Sequence, residues 1–330
     1  MPLLPGLDPA AVAEAADALA AGELVAFPTE TVYGLGARAD DDRAVARIFE
    51  AKGRPSDHPL IVHLADAASA SEFAAEISPL ARRLAQAFWP GPLTVIVPRR
   101  ADRGAAAAGG QPTIALRCPA HPVAHALLLQ AAARGVPGVA APSANRFGRV
   151  SPTTAQHVAD EFGAALRVLD GGACQVGIES TIVDCTRGRA VLLRPGVLTR
   201  ERIEAAAGEP LLDRDEQAPR ASGTLAAHYA PNARVVLMSA QALQRALATD
   251  QQQSGTRLAV YSRTVRPPAG AASTVMHRVM PQDAALAAQE LFSVLRDLDA
   301  RGAQLIWVEQ PPDTPEWEGV RDRLQRAAAA

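Results

Sequence analysis

The sequence predicts an α/β fold in two parts, and three observations carry that expectation. Short apolar runs such as LVAF at 24–27, LTVIV at 93–97 and QLIWVE at 304–309 alternate with longer stretches whose apolar residues recur at helical spacing. A polar stretch without a period, at 208–232, interrupts the alternation, which resumes beyond it. A chain of 330 residues that is 48% hydrophobic is also long enough for two cores. The expected layout is a first domain over 1–207, a linker over 208–232, and a small Rossmann-like α/β domain over 233–330.

Each element has a local reason. Asp8 and Pro9 start a helix in which Ala and Leu recur until Gly22 stops it. LVAF reads as a buried strand ending in the PTET loop, and GLGARA at 34–39, only a fragment of a dinucleotide fingerprint, reads as a turn. A helix over 42–51 precedes the loop KGRPSDHP and the strand LIVHL at 60–64. A helix from Ser78 to Trp89, strands at 93–97 and 113–117, a helix over 121–134 and the strand GVAA at 138–141 follow. Strands at 166–170, 180–184 and 190–194, and a helix capped by Thr199 and running to 207, complete the first domain. In the second, RVVLM, RLAVYS and QLIWVE are strands among helices at 239–249, 282–299 and 315–327.

Composition narrows the function. The net charge is −2 with acids and bases interspersed, which lacks the overall basic excess of a dedicated nucleic-acid binder. Local clusters such as Arg99, Arg100 and Arg103, or Arg146 and Arg149, read as solvated surface. Cys118, Cys174 and Cys185 are odd in number and far apart, which argues against a disulfide framework or a zinc site and for a reducing cytoplasm. MPLLPGLDPA lacks the basic and apolar regions of a signal peptide, and no run approaches the roughly 18 apolar residues of a membrane span, so no membrane association is expected.

Of 33 basic residues only Lys52 is a lysine, which marks either a place where arginine does not serve or one surface lysine that a drift from lysine to arginine codons has missed. An ammonium is a compact, hydrated point charge, whereas guanidinium is a rigid planar fork. The strand-end loops hold Thr29, Glu30, Thr31, Lys52, Arg54, Ser56, His63, Arg117, Ser143, Asn145, Ser180, Thr181 and Arg194. In an α/β sheet, loops leaving the carboxyl ends of strands converge on one crevice. Lysine and arginines among small hydroxyl residues suit a multiply anionic ligand such as a nucleoside triphosphate. A Ser/His/Asp triad, a clustered metal-ligand set and a nucleophilic Cys in context are missing, so the implied chemistry is positioning and charge stabilisation.

In order along the chain, PTETVYGLG, KGRPSDHPLIVH, PGPLTVIV, LRCPAHP, PSANRFGRVSPT and LRPG strongly resemble the YrdC-type threonylcarbamoyl-AMP synthases. HYAP at 228–231, followed by a second α/β domain, resembles their longer two-domain form. The resemblance implies a twisted open mixed sheet with helices and a large concave groove. It implies a nucleotidyltransferase that makes threonylcarbamoyl-AMP from L-threonine, bicarbonate and ATP with Mg2+, releasing pyrophosphate. The product would feed a separate tRNA threonylcarbamoyl transferase; at most weak tRNA contact and a monomer are expected.

By position, the resemblance places Lys52, Arg54, Ser143 and Asn145 on the nucleotide phosphates, with Lys52 and Arg54 catalytic. Thr113, Ser151 and Arg194 also fall at its ATP positions, and His58 stands where Asn is usual. Thr31, His63, Arg117 and Ser180, with the backbone near Ala141, fall at its threonine positions. The linker reads ASGT at 221–224 in place of the frequent SPGM, and HYAP would act as a lid whose Tyr229 reaches the nucleotide. Lys52→Arg is expected to lose most activity with the fold intact. The competing readings are a non-catalytic double-stranded RNA-binding module of the same fold and a carbamoyl-transfer protein of hydrogenase maturation. The latter's zinc-finger cysteine pairs are not visible here.

Overall fold

The computed structural model describes residues 3–249, 256–268 and 275–330; residues 1–2 of the first expected domain and 250–255 and 269–274 of the last lie outside it. Contacts divide the chain into two units, one of residues up to 147 plus 151–224, the other of 148–150 plus 225–330. The stretch 208–232 is thus shared, its first part belonging to the first unit.

The strands of the first unit, in chain order, are β1 (Leu4–Pro5), β2 (Val25–Phe27), β3 (Gly34–Arg38), β4 (Ile61–His63), β5 (Leu93–Pro98), β6 (Thr113–Arg117), β7 (Val139–Ala140), β8 (Arg167–Asp170), β9 (Thr181–Asp184), β10 (Val191–Arg194) and β11 (Leu212–Asp213). They form one mixed sheet in the order β1-β8-β2-β3-β7-β4-β6-β5-β9-β10-β11. The helices are α1 (Pro9–Ala20), α2 (Asp42–Lys52), α3 (Pro79–Phe88), α4 (Pro122–Ala132), α5 (Ala155–Phe162) and α6 (Arg200–Ala207).

The sequence explains most helix ends. Asp8 caps α1 by accepting from the Ala10 amide, with Pro9 in the first turn. Asp41 caps α2 through Arg43 N, and Ser78 caps α3 through Ala81 N. Thr199 stands at the N-cap position of α6, but its hydroxyl makes no capping bond. Gly53, at φ 63°, ends α2 in the left-handed region and turns the chain sharply after Lys52.

The turn expected at GLGARA is a strand. Glycine hid it, because β3 packs too closely for side chains: a Cβ on Gly36 would stand 2.8 Å from both Phe27 and Val139 side chains. Helix α5 and the short strands β1 and β11 also go beyond the sequence expectation.

One face of the sheet, carrying Leu35, Val62, Val95, Leu116, Val183 and Leu192, buries against α2, α3 and α6 in the largest core. The other face is covered in two ways. Val25, Phe27, Val139 and Leu169 pack against α1 and α4. Ile61, Ile96, Ala115, Ile182, Val191 and Leu193 have no helix over them; Ala218 and Ala221 of the strap that precedes residue 225 pack there instead.

In the second unit β12 (Arg234–Met238), β13 (Leu258–Ser262), β14 (Val275–Val279) and β15 (Leu305–Glu309) form a parallel sheet ordered β12-β15-β13-β14. Strand β14 is one more than the sequence suggested. Helix α7 (Ala240–Thr249) packs Leu243 and Leu247 against Val260 and Trp307. Glu290 of α8 (Ala284–Ala300) bonds the Tyr261 hydroxyl on the other face, which gives three layers. A last helix, α9 (Glu318–Ala328), closes the unit. Tyr229 of HYAP is buried here, its ring 5.4 Å from that of Phe292 and 5.3 Å from the Arg323 guanidinium. Its φ of 63° is strained for a non-glycine residue, so surrounding packing must hold it.

Candidate functional site

The strip of sheet under the strap has an apolar floor and a polar border. Register pairs Ile61 with Ala115, Ala115 with Ile96, and Thr94 with Ile182, so these side chains share one face. On that face His63 pairs with Arg117 at one end of the strip, and Thr113 begins the same strand that Arg117 ends. Four residue steps along the strand separate Thr113 from Arg117 by about 13 Å. The expectation of one crevice at the carboxyl ends of the strands therefore fails. The sheet is mixed, and the site residues border the strap-covered strip on its face.

At the first border, the turn after β2 is stiffened by Thr29, whose hydroxyl donates to Val32 O at 2.6 Å and accepts from the amides of Thr31 and Val32. The turn presents Thr31 to Arg117, which donates from Nη1 to the Thr31 hydroxyl at 2.8 Å and from Nε to Gly91 O at 3.3 Å. Glu30 Oε1 lies 2.7 Å from Arg117 Nη2, and both side chains are buried. That approach is out of line for a hydrogen bond, so charge holds the pair. His63 is buried edge-on to Phe27 at 5.9 Å. Burial, then the Arg117 charge, lower its pKa to about 3, so the imidazole is neutral.

At the second border Lys52, only 3% exposed, donates from Nζ to Ser143 O at 2.6 Å and to Asn145 O. The Lys52 carbonyl accepts from Phe147 N at 2.9 Å. This one residue thus clamps the loop 143–147 from both its side chain and its backbone. Burial, then the neighbouring Arg54, hold the ammonium well below the usual lysine range. The rarity that singled out Lys52 has a steric counterpart, since a compact head fits between two carbonyls where a planar fork is crowded. Arg54 follows the Gly53 turn, lies 5.9 Å from the Phe147 ring, and donates to Pro59 O at 3.0 Å. His58 is half-buried with its ring 5.4 Å from Phe147; burial, then Arg54, lower its pKa.

At the third border the Arg194 guanidinium, 2% exposed, donates to Ser180 O at 2.8 and 3.1 Å and to the Ser180 hydroxyl at 3.2 Å. Ser180 shares a further hydrogen bond with Thr94 at 2.8 Å. Ser222 of the strap accepts from Arg194 through its carbonyl at 2.9 Å and from Arg54 through its hydroxyl at 3.5 Å. Two cations from different borders thus meet on strap oxygens. The strap is fastened upstream, where Gln111 bonds both the amide and the carbonyl of Arg220 and Asp57 pairs with the Arg220 guanidinium at 2.6 Å.

Two clusters of sequence-predicted residues therefore come together by direct contact, Lys52 with Ser143 and Asn145, and Arg194 with Ser180; Arg54 joins the second only through Ser222. Thr31 and Arg117 form a third. Ser151 is fully buried and donates to Glu179, the residue before Ser180. Ala141 is tied into the sheet by its amide, bonded to Ile61 O at 2.9 Å. Thr113 makes no side-chain hydrogen bond to the others among the described residues, and Tyr229 lies in the second unit. No role for Ser222, Thr94, Glu179 or Phe147 was legible from residue type and spacing. Among the described residues no group of three or more His, Cys, Asp or Glu side chains is arranged to hold a metal ion, and no helix is long and apolar enough to cross a membrane.

A mixed sheet with one face left to a strap, and arginines, hydroxyls and one buried lysine around an apolar floor, define an α/β protein with a strap-covered, cation-rich strip on its sheet face. The chain belongs to the Sua5, YciO and YrdC family, whose model, described as "Telomere recombination", matches residues 17–196. A second model, "Threonylcarbamoyl-AMP synthase, C-terminal domain", matches 198–329. The chain is 40% identical over 328 residues to a threonylcarbamoyl-AMP synthase of Bacillus subtilis strain 168, covering 96% of this chain and 92% of that one. It is 38% identical to that of Pyrococcus abyssi, covering 93% and 91%. The crystal structure of P. abyssi Sua5 complexed with L-threonine matches with a TM-score of 0.88 at 37% identity, over 97% of this chain and 95% of that one.

Proposed function

We infer that this chain is a threonylcarbamoyl-AMP synthase, an enzyme that joins L-threonine, bicarbonate and ATP and releases pyrophosphate. The observation that carries this reading is similarity across both units to proteins of that name, one of them solved with L-threonine. The same similarity favours catalysis over the RNA-binding alternative.

The chemistry fits the groove. The threonine amine and bicarbonate form a carbamate with loss of water, a carbamate oxygen bonds to the α-phosphate, and the bond to pyrophosphate breaks. We assign the end at Thr31, His63, Arg117, Ser180 and Ala141 to threonine, because a buried guanidinium suits a carboxylate and a neutral imidazole adds no competing charge. We assign the borders at Lys52, Arg54, Ser143, Asn145 and Arg194, with His58, Thr113 and Ser151, to ATP. Ser222 supports this, since its oxygens already accept from Arg54 and Arg194 as phosphate oxygens would. Lys52 serves first by holding the loop 143–147, and a direct phosphate contact would require it to leave Ser143 O and Asn145 O.

The donors around the groove are cations and hydroxyls, which complement phosphate. Mg2+ fits as an ion carried on ATP's own oxygens, where it screens phosphate charge. The carbamate and the mixed anhydride are labile in water, and the strap over the floor is placed to exclude it. Tyr229, buried in the second unit against Phe292 and Arg323, is left out of this assignment. The adenylate would pass to a cytoplasmic transferase that modifies tRNA, with at most weak tRNA contact by this chain, which acts as a monomer. With MgATP and bicarbonate, the purified protein should release pyrophosphate when threonine is added; release indifferent to threonine would overturn the assignment.

A further inference from the structure

We propose that Glu30 is a positioning residue for substrate: it holds the Arg117 guanidinium so that its remaining donors face the groove. The proposal rests on the reading that Arg117 takes the substrate carboxylate. Glu30 is 7% exposed and Arg117 3%, so neither is a solvated surface charge.

Arg117 is fixed from three sides. Gly91 O takes Nε, the Thr31 hydroxyl takes Nη1, and Glu30 Oε1 stands 2.7 Å from Nη2 out of hydrogen-bond line. A carboxylate in line with Nη2 would use up the direction that a ligand needs. One held by charge alone fixes the fork and leaves that N–H direction to a substrate.

Glu30 is itself held in a way that a simple counter-ion would not need. Its other carboxylate oxygen accepts from Ala120 N at 3.1 Å, and its carbonyl accepts from Val176 N at 2.7 Å. Gly177 N bonds Thr31 O at 3.1 Å. The carboxylate therefore ties the turn after β2 to the end of β6 and the approach to α4, and the backbone carbonyls of Glu30 and Thr31 tie that turn to the segment before β9. Those pieces carry Thr31, Arg117 and Ser180, which are far apart in sequence. A general base would instead need access to the amine rather than a place behind the guanidinium.

Glu30→Gln keeps the shape and an acceptor but removes the charge, and Glu30→Ala removes both. Threonine binding, measured by calorimetry without ATP, and KM and kcat for both substrates test the role. In Glu30→Gln the threonine Kd and KM should rise at least threefold, and in Glu30→Ala at least tenfold. The KM for ATP should stay within twofold, and kcat should fall less than threefold. If Glu30→Ala does not fold, the Gln variant decides alone. Threonine affinity unchanged in the folded variants overturns the proposal. So does a fall of kcat beyond a hundredfold at unchanged threonine KM, the signature of a lost base. Wild-type protein that binds threonine without turnover refutes the synthase reading while leaving Glu30 testable by the same calorimetry; wild-type protein that does not bind threonine overturns both.

Discussion

Replacing Lys52 with arginine keeps the charge, yet the surroundings oppose it. Nζ lies between Ser143 O at 2.6 Å and Asn145 O, and the residue is 3% exposed, so a larger planar head must displace the loop it holds. Overpacking of this kind costs about 1–3 kcal/mol, and a misdirected charged hydrogen bond loses about 1.5–3 kcal/mol more. A combined loss of about 2.5–6 kcal/mol corresponds to a drop in Tm of roughly 5–24 °C for a unit of this size. The expectation from sequence alone, lost activity with the fold intact, thus changes in its second half, because burial was not visible there. Thermal unfolding with and without MgATP, alongside threonine-dependent pyrophosphate release, measures both effects. Activity should fall tenfold or more. A variant that melts with the wild type and turns over normally would refute the clamp and return Lys52 to the status of a codon accident.

Two other perturbations test the surrounding structure. His63 has a folded pKa of about 3, below its ordinary value, because of burial and then Arg117. Between about pH 6.5 and 3 the unfolded chain binds a proton that the folded chain does not, so stability falls as pH falls, with a slope approaching about 1.4 kcal/mol per pH unit. His63→Gln should flatten the acid limb of urea-unfolding stability between pH 7 and 5, and parallel curves would contradict a neutral buried imidazole. Gly36→Ala places a Cβ 2.8 Å from Phe27 and Val139 and should destabilise by about 1–3 kcal/mol in the same unfolding experiment, whereas an unchanged midpoint would mean β3 has room that its packing denies.

How much was legible depended on the kind of signal. Helix starts at Asp8 and Ser78 announce themselves through side chains that bond their own backbone, and the structure has those bonds. Strand β3 was invisible because its glycines serve a tight approach to Phe27, and glycine is read locally as a turn. Lys52 and Arg54 stood out by residue type and spacing, but the loop carbonyls that receive Lys52 carry no sequence signal. Glu30 was seen only as a loop residue, since its partner Arg117 is distant along the chain and only the sheet joins them. The strap looked featureless for a physical reason: it is neither helix nor strand, and its Ala218, Ala221 and Ser222 act through backbone and small side chains on a floor built elsewhere.

The central claim is that this groove joins threonine to carbon from bicarbonate and then to AMP. Supplying [14C]bicarbonate with MgATP and threonine, and resolving the nucleotide products, measures it most directly. Label should appear in an adenylate whose mass equals threonylcarbamoyl-AMP, and only when ATP, threonine and bicarbonate are all present. Labelled adenylate formed without threonine, or pyrophosphate released with no label in any nucleotide, would contradict the account.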